Sequence, residues 1–318
     1  MTTRIIVPLD HSAVAESALP LARRLEQQLG ARVTLISVLD VPSSFGGYVR
    51  SPEARETPFD AVPRQPSAAM PQSPYGNWTG WSGSEPSAKQ IEEVANETTE
   101  AEKYLQQIAT TFESDHVETI VRLGRPAERI LDAAESREDS IIVLASHGRS
   151  GIGRAVVGSV TARVVQAANR PVFVVRASEG SSGEGIYDEI RNILIPVDGS
   201  TLSEQAIPVV AGMFKGEGSR VHLLNVIETP RFANSAQAEG YTKWLAEQVT
   251  ESGIAASWEV TKGWPADQIN RVAATQDVEL IAMSTHGRTG LNRFALGSVA
   301  ERVLHDADRP LMLAPMRT

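Results

Sequence analysis

The sequence predicts an α/β protein built from two doubly wound domains, each with a parallel five-stranded sheet and helices on both faces. The first observation is length, because 318 residues are about twice one average domain. The second is a long internal repeat. The third is that, within each copy, short runs rich in β-branched residues alternate with segments of helical periodicity.

The repeat has two parts with different spacings. Residues 6–12 recur as residues 194–200, a spacing of 188, and residues 146–151 recur as residues 285–290, a spacing of 139. The first copy therefore holds 49 extra residues. Val38 matches Val226 at the spacing of 188, whereas Gly124 matches Gly263 at the spacing of 139. The extra residues lie between these two positions.

Each copy is expected to have the order βαβαβαβαβ, with strands continuous in apolar residues, as in a sheet covered on both faces. The predicted strands of the first copy include residues 5–9, 33–39, 140–144 and 172–175, and its predicted helices include residues 12–29 and 127–135. Gly30 is expected to end the first helix in the left-handed conformation. In the second copy, Thr201 to Glu204 reads as a capping box at the matching helix start.

The predicted domains are residues 1–177 and 190–318, joined by a small, polar, Gly-rich linker at 178–189. The first contains the insertion, at about residues 41–90, which holds eight of the 18 prolines and six aromatic residues. Loops this long tend to be binding segments, lids or disordered. A disordered segment and a partly ordered flap that binds its own domain or a protein partner both remain open.

Composition excludes several classes of function. The chain has no cysteine, so thiolate catalysis, cysteine-based metal sites and disulfides are ruled out. The net charge of −9 and the lack of a basic run argue against nucleic acid as a partner. No apolar segment is long enough for a signal peptide or a membrane span, so no membrane partner is expected and the predicted location is cytoplasmic.

The loop after the fourth strand of each copy carries the strongest chemical signal. Glycines at 148, 151, 153 and 158 allow close backbone approach to a ligand, and a helix that opens near Ser159 or Ser298 presents an N-terminus that favours negative charge. Such a serine can cap the helix or donate to a phosphate oxygen. A Gly-rich surface turn would explain one copy, but recurrence at fixed spacing favours a phosphate-binding loop.

Asp10 and Asp198 end the first strand of each copy, where a doubly wound sheet binds nucleotides. Their carboxylates could accept from a ribose hydroxyl or an adenine amine, or could cap the next helix, and the two roles are compatible. Arginines in the loops are second-tier phosphate ligands: they are Arg149, Arg154, Arg288 and Arg293. His147 and His286 lack partners at ligand spacing, so a structural role is favoured.

Other nucleotide and hydrolase motifs are missing. The chain contains no P-loop, no G-x-S-x-G nucleophile elbow and no kinase motif set. The sequence therefore indicates binding without an identified catalytic group and without a metal site.

With these motifs the chain resembles the universal stress protein family in a tandem two-domain form. The family pattern G-x-x-G-x9-G-[ST] is met by Gly148, Gly158 and Ser159, and again by Gly287, Gly297 and Ser298. Its first glycine is replaced by Ala145 and Ser284. The resemblance implies an adenine-nucleotide alpha-hydrolase-like fold.

The resemblance also implies ATP binding, with or without Mg²⁺. Adenine would lie near Asp10 and Val38, or Asp198 and Val226, with phosphates on the glycine loop. The implied ligand-binding positions are Pro8, Asp10, Val38, Ala145, Gly148, Gly158, Ser159 and Val160 in the first copy, and Pro196, Asp198, Val226, Ser284, Gly287, Gly297, Ser298 and Val299 in the second. Because His11 stands where the second copy has Gly199, the second site ranks above the first.

The expected function is that of an ATP-binding, stress-linked regulator without strong hydrolysis. Two alternatives stay open: a slow ATPase or phosphotransferase, and a dimerisation or scaffold module that needs no nucleotide. Members of the family pair through their last strands, so residues 172–175 and 311–313 are expected to join the two domains as a pseudo-dimer, and two chains could associate further as a homodimer.

Overall fold

The computed structural model describes residues 3–41, 87–113, 116–146, 157–177, 189–216, 218–228, 235–284 and 296–315. All but the last residue of the predicted linker, and nearly all of the insertion, lie outside this part of the chain. The elements of the first copy are β1 (Arg4–Pro8), α1 (Ala13–Glu16), α2 (Leu19–Leu29), β2 (Arg32–Leu39), α3 (Ala88–Ala109), β3 (Val117–Leu123), α4 (Pro126–Glu135), β4 (Ser140–Ser146), α5 (Ser159–Ala167) and β5 (Val172–Arg176).

The second copy repeats this order. Its elements are β6 (Asn192–Val197), a 3₁₀ turn (Ser203–Gln205), α6 (Ala206–Phe214), β7 (Arg220–Ile227), α7 (Ser235–Glu251), β8 (Ala255–Lys262), α8 (Pro265–Thr275), β9 (Leu280–Ser284), α9 (Ser298–Asp306) and β10 (Leu311–Ala314). The predicted alternation is confirmed in both copies.

The described strands form one ten-stranded sheet in the order β3-β2-β1-β4-β5-β10-β9-β6-β7-β8. Each copy contributes five parallel strands, which confirms the doubly wound class. The copies meet where β5 and β10 pair antiparallel, with Met312 opposite Phe173. This is the pairing of last strands that the family resemblance implied.

Two apolar layers cover the sheet, and each runs through both copies. One contains α2, α3, α6 and α7, with Leu25, Leu105 and Val210 among its buried side chains. The other contains α4, α5, α8 and α9, with Ile130 and Ile269 buried. Helices therefore cover both faces, as predicted.

The predicted helix over residues 12–29 is wrong as a single helix. The chain forms α1, turns at Ser17 and Ala18, and begins α2 at Leu19. Pro20 has no N–H to donate to the carbonyl of Glu16, so one continuous helix would leave that acceptor unpaired. Gly30 ends α2 with φ of 57°, as predicted.

The predicted capping box at Thr201 is also wrong. Ser203 donates its N–H to Ser200 Oγ at 3.2 Å and its hydroxyl to the Ser200 carbonyl at 2.8 Å. These bonds begin a 3₁₀ turn, and α6 starts only at Ala206 without a side-chain cap. The Ser200 hydroxyl therefore accepts a backbone N–H at the start of this turn, and the Glu204 carboxylate accepts from Tyr241.

Candidate functional site

The site predicted from the sequence lies at the carboxyl edge of the sheet. β1 lies at the centre of its half of the sheet, with β2 on one side and β4 on the other. The connection after β1 runs to one side of the sheet and the connection after β4 runs to the other, which opens a crevice beyond the carboxyl ends of these strands. The same arrangement recurs where β6 lies between β7 and β9. Asp10 lies two residues after the end of β1 and Asp198 directly follows β6, so each is placed at one of these crevices.

Asp10 organises the turn after β1. Its Oδ1 accepts the Ser12 N–H at 3.1 Å and the Ser12 hydroxyl at 2.5 Å. Ser12 in turn accepts the Ala15 N–H at 3.1 Å and is the N-cap of α1. Asp10 therefore supports the capping serine and does not cap the helix itself. In the described part of the chain these bonds leave Asp10 Oδ2 without a partner.

Asp198 organises the equivalent turn after β6 in the same way. Its Oδ1 accepts from Ser200 N at 3.0 Å and from Ser200 Oγ at 2.6 Å. Its own N–H donates to Ser203 Oγ at 3.2 Å, a bond for which Ala15 offers no hydroxyl in the first copy. Both copies thus hold an exposed or half-buried carboxylate at the crevice through a serine two residues on.

The residue after each aspartate adopts a left-handed backbone conformation. Gly199 has φ of 81° and His11 has φ of 63°. This region favours glycine, because a Cβ crowds the following carbonyl. His11 is retained there with its ring stacked on Tyr104, the ring centroids being 4.0 Å apart. The two turns share this backbone conformation, but only the first carries an aromatic side chain at this position.

The N-cap of each helix that follows a glycine loop is a glycine, not a serine. Gly158 and Gly297 are the N-caps of α5 and α9, and Ser159 and Ser298 are the first helical residues. Neither helix start has a side-chain cap. The capping role considered for the two serines is therefore absent, and the helix N-termini keep backbone donors that an anion could use.

The remaining predicted positions lie on the same edge. Pro8 and Pro196 lie in β1 and β6, and Ala145 and Ser284 lie at the ends of β4 and β9. Thr161 of α5 donates to the Ala145 carbonyl at 2.9 Å, which ties that helix to its strand. Four further predicted side chains are partly buried against the apolar layer of α4 and α8: Val38, Val160, Val226 and Val299.

Several predicted residues lie outside the described part of the chain. They are Gly148 and Gly287, the histidines at 147 and 286, and the arginines at 149, 154, 288 and 293. The structure therefore brings together the aspartate turns, the strand ends and the helix starts.

A tyrosine–glutamate pair near each crevice was missed by sequence reasoning. Tyr104 of α3 donates to Glu16 Oε1 at 2.8 Å, and Tyr241 of α7 donates to Glu204 Oε1 at 2.7 Å. Burial, and then the hydrogen bond to the carboxylate, raise the pKa of each tyrosine. The two glutamates lie 188 residues apart, so the repeat could have identified them as equivalent positions. The two tyrosines are separated by neither 188 nor 139 residues, so the repeat does not pair them.

The tyrosines tie α3 and α7 to the turns that carry the aspartates. Tyr104 holds Glu16 on α1, and α1 is capped by the serine bound to Asp10. Tyr241 holds Glu204 in the 3₁₀ turn, whose neighbour Ser203 accepts from the backbone of Asp198. The described residues contain no group of three acidic or histidine side chains placed to hold a metal ion.

No helix in the described part of the chain combines the length and hydropathy needed to cross a bilayer.

Comparison with known proteins gives matches over both copies. The model of the universal stress protein family matches residues 1–176 and 189–315. A universal stress protein of Mycobacterium tuberculosis is 27% identical over 268 residues, which cover 78% of this chain and 83% of that protein. One from Methanocaldococcus jannaschii is 33% identical over 147 residues, 42% of this chain and 84% of that protein.

Among solved structures, a universal stress protein from Archaeoglobus fulgidus superposes with a TM-score of 0.67. The match covers 98% of both chains at 18% identity, so it speaks for the fold alone.

Proposed function

Since this chain belongs to the universal stress protein family, we propose that it binds ATP at both crevices and acts as a nucleotide-dependent regulator of a stress response, without strong hydrolysis. The observation that carries the proposal is the repeated pairing, in one crevice, of an aspartate turn with a glycine-capped helix start. The first offers an acceptor for adenine or ribose, and the second offers donors for phosphate.

The described residues fit such a ligand. The N-termini of α5 and α9 have no side-chain cap, so their first-turn N–H groups and the hydroxyls of Ser159 and Ser298 can donate to phosphate oxygens. Asp10 keeps Oδ2 for an adenine amine or a ribose hydroxyl. The half-buried valines Val38 and Val226 would flank the base. Any Mg²⁺ that accompanies ATP would be held mainly by the phosphates.

We base the proposal of weak hydrolysis on the residues at the helix starts. Residues 157–160 and 296–299 are Val or Leu, Gly, Ser and Val, and hold no acid or base that could activate water. We propose that ATP occupies the site as a signal. A phosphate-release assay tests this: turnover that survives Gly148→Val combined with Gly287→Val belongs to a contaminant, whereas fast turnover abolished by this pair would make the protein an ATPase.

The second site is proposed to bind more tightly than the first. Gly199 has no side chain and leaves the aspartate turn open, whereas His11 places a stacked ring beside Asp10. The two sites should therefore fill at different ATP concentrations.

Equilibrium dialysis of nucleotide-stripped protein tests binding. We expect two ATP per chain, falling to one in Asp10→Ala and in Asp198→Ala, with the larger loss of affinity in Asp198→Ala. Asp132→Ala, on the exposed side of α4, is the matched control and should keep both sites. If neither stripped nor intact protein binds ATP at millimolar concentration, the ATP proposal fails and the scaffold alternative gains. Native against denaturing mass spectrometry adds an independent readout, as a co-purified nucleotide appears as a discrete mass.

A further inference from the structure

A second polar cleft lies at the opposite edge of the sheet, where strands begin. It opens at the amino ends of β1, β2 and β3 and has a volume of about 250 Å³. It is lined by Arg4, Arg32, Val33, Thr34, His116, Val117 and Glu118. The nucleotide crevice is at the carboxyl ends of the same strands, so the two lie at opposite ends of the sheet.

The charge of this cleft is positive and only partly balanced. Arg4 Nη2 lies 3.2 Å from Glu118 Oε2, an ion pair whose glutamate is half exposed. Arg32 also lines the cleft, yet it has no carboxylate partner within the described residues. Among the described residues, a protein of net charge −9 thus keeps a guanidinium without an ion-pair partner at this point.

A buried hydroxyl in the wall of the cleft also lacks a partner. Thr34 is 1% exposed, and its Oγ1 makes no hydrogen bond to the described residues. A buried unpaired hydroxyl is costly, so such groups are normally satisfied by protein, water or ligand. Thr34 and Arg32 are two residues apart on β2, so their side chains lie on the same face of the strand.

From these groups we infer that the cleft binds a phosphoryl or similar tetrahedral oxyanion. Arg32 and the unused donors of Arg4 can form forked hydrogen bonds to two oxygens, and the Thr34 hydroxyl can donate to a third. The backbone N–H groups of Arg4, Arg32 and Val33 already donate to carbonyls, so side chains must supply the donors. The shared chemistry fits both free phosphate and the phosphoryl group of a small ester.

The second copy serves as an internal comparison, because a larger side chain stands at the position of Thr34 there. Position for position, Asn192 replaces Arg4, Arg220 matches Arg32, and His222 replaces Thr34. His222 Nδ1 lies 2.8 Å from Ser257 Oγ, so a side-chain hydrogen bond occupies the position where the first copy leaves a hydroxyl unpaired. An exposed arginine at the start of the second strand is thus common to both copies, whereas the orphan hydroxyl and the second arginine belong to the first.

Titration of the full-length protein with inorganic phosphate, followed by the NMR signals of the His116 imidazole, tests the inference. The titration is run at constant ionic strength, with and without saturating ATP, since phosphate at a glycine loop would not move His116. We expect a saturable shift that persists with ATP and that weakens about tenfold or more in Arg32→Gln, as for loss of a charge-assisted bond. Arg220→Gln, the matched variant, should titrate like the parent protein.

Further arms decide the ligand and the role of the hydroxyl. Thr34→Val keeps the shape of the side chain and should also weaken the phosphate response, while Arg32→Lys should restore part of it. Glycerol 3-phosphate that shifts His116 as phosphate does would show that the phosphoryl group of an ester is accepted; a response to phosphate alone assigns the free anion. No saturable shift at millimolar phosphate, an unchanged response in Arg32→Gln, or an equal response to acetate would overturn the inference.

Discussion

His11 and Gly199 occupy the same position in the two copies and adopt the same left-handed backbone. Only the first has a Cβ there, and its ring stacks on Tyr104. A non-glycine residue in this conformation costs about 1–2 kcal/mol, and an aromatic pair contributes about 0.5–1.5 kcal/mol. The stack therefore offsets much of the backbone strain in the first copy.

This balance predicts effects of different size for two substitutions. Gly199→Ala should destabilise the protein by about 1–2 kcal/mol, because it adds the strain without a stack. His11→Gly should change the free energy of unfolding by less than about 1 kcal/mol, because strain and stack are lost together. Urea denaturation measures both; a loss in His11→Gly as large as in Gly199→Ala would contradict this balance.

His222 predicts a pH dependence of stability. Burial lowers its pKa, and the opposing pull of Glu259 does not restore it. Below about pH 6.5 the imidazole is protonated in the unfolded chain but still neutral in the folded protein. The free energy of unfolding should therefore decrease as the pH falls from about 6.5 to the lowered pKa of the folded state.

Urea unfolding of the parent protein and of His222→Gln between pH 5 and 8 tests this dependence. The difference between their free energies of unfolding should be constant above pH 7 and should move in favour of the glutamine variant as the pH falls. A difference that stays flat across the range would show that His222 does not titrate differently in the two states.

At the scale of elements, α3 joins the insertion to the first crevice. Ser87 caps this 22-residue helix in a capping box with Gln90, and Tyr104 near its other end touches both His11 and Glu16. Ala101 and Leu105 are its only fully buried residues among those described. With so little buried surface, this long helix depends more than most on its cap.

We therefore expect Ser87→Ala to destabilise the protein by about 1 kcal/mol. Thr99→Ala, an exposed site in the middle of the same helix, is the control and should stay within about 0.5 kcal/mol. Hydrogen exchange locates the effect: amides in the first turn of α3 should lose protection, and equal loss throughout the molecule would mean that the cap does not act locally.

At the scale of the whole molecule, the antiparallel pairing of β5 and β10 makes two five-stranded sheets into one. Phe173 is fully buried at this seam, opposite Met312, and belongs to an apolar layer that continues into both copies. The seam is reinforced where the second copy begins, because the Gln28 amide donates to the Ile190 carbonyl at 2.8 Å and accepts its N–H at 3.1 Å.

Phe173→Ala should thus destabilise the protein by about 3–5 kcal/mol, since it opens a cavity in the shared layer. Trp264→Ala removes a larger ring that is 66% exposed and should cost far less. Chemical denaturation with two spectroscopic probes measures both. A loss below about 1 kcal/mol in Phe173→Ala would mean that the seam contributes little to the stability of the chain.

Periodicity and repetition predicted the element order, because apolar spacing follows directly from the geometry of helices and strands. They also predicted that Asp10 and Asp198 lie at the crevices. Helix starts were predicted less well: Pro20 divides a continuous apolar pattern, and Ser200 takes over a role that the pattern assigned to Thr201. Which of several nearby donors and acceptors form hydrogen bonds depends on the geometry of the turn, and the spacing of apolar residues does not predict that geometry.

The amino-acid sequence by itself determined the repeat, the two parallel sheets and the position of the two aspartates after the first strand of each copy, because these depend on local pattern and chain order. Only the tertiary structure decided which residues meet across the chain. Tyr104 with Glu16 and His11, and Arg32 with Arg4 and His116, are brought together by strand order and helix packing, because they lie far apart in the sequence. The tertiary structure also decided that β5 and β10 pair antiparallel, because the two similar halves of the chain meet through their last strands.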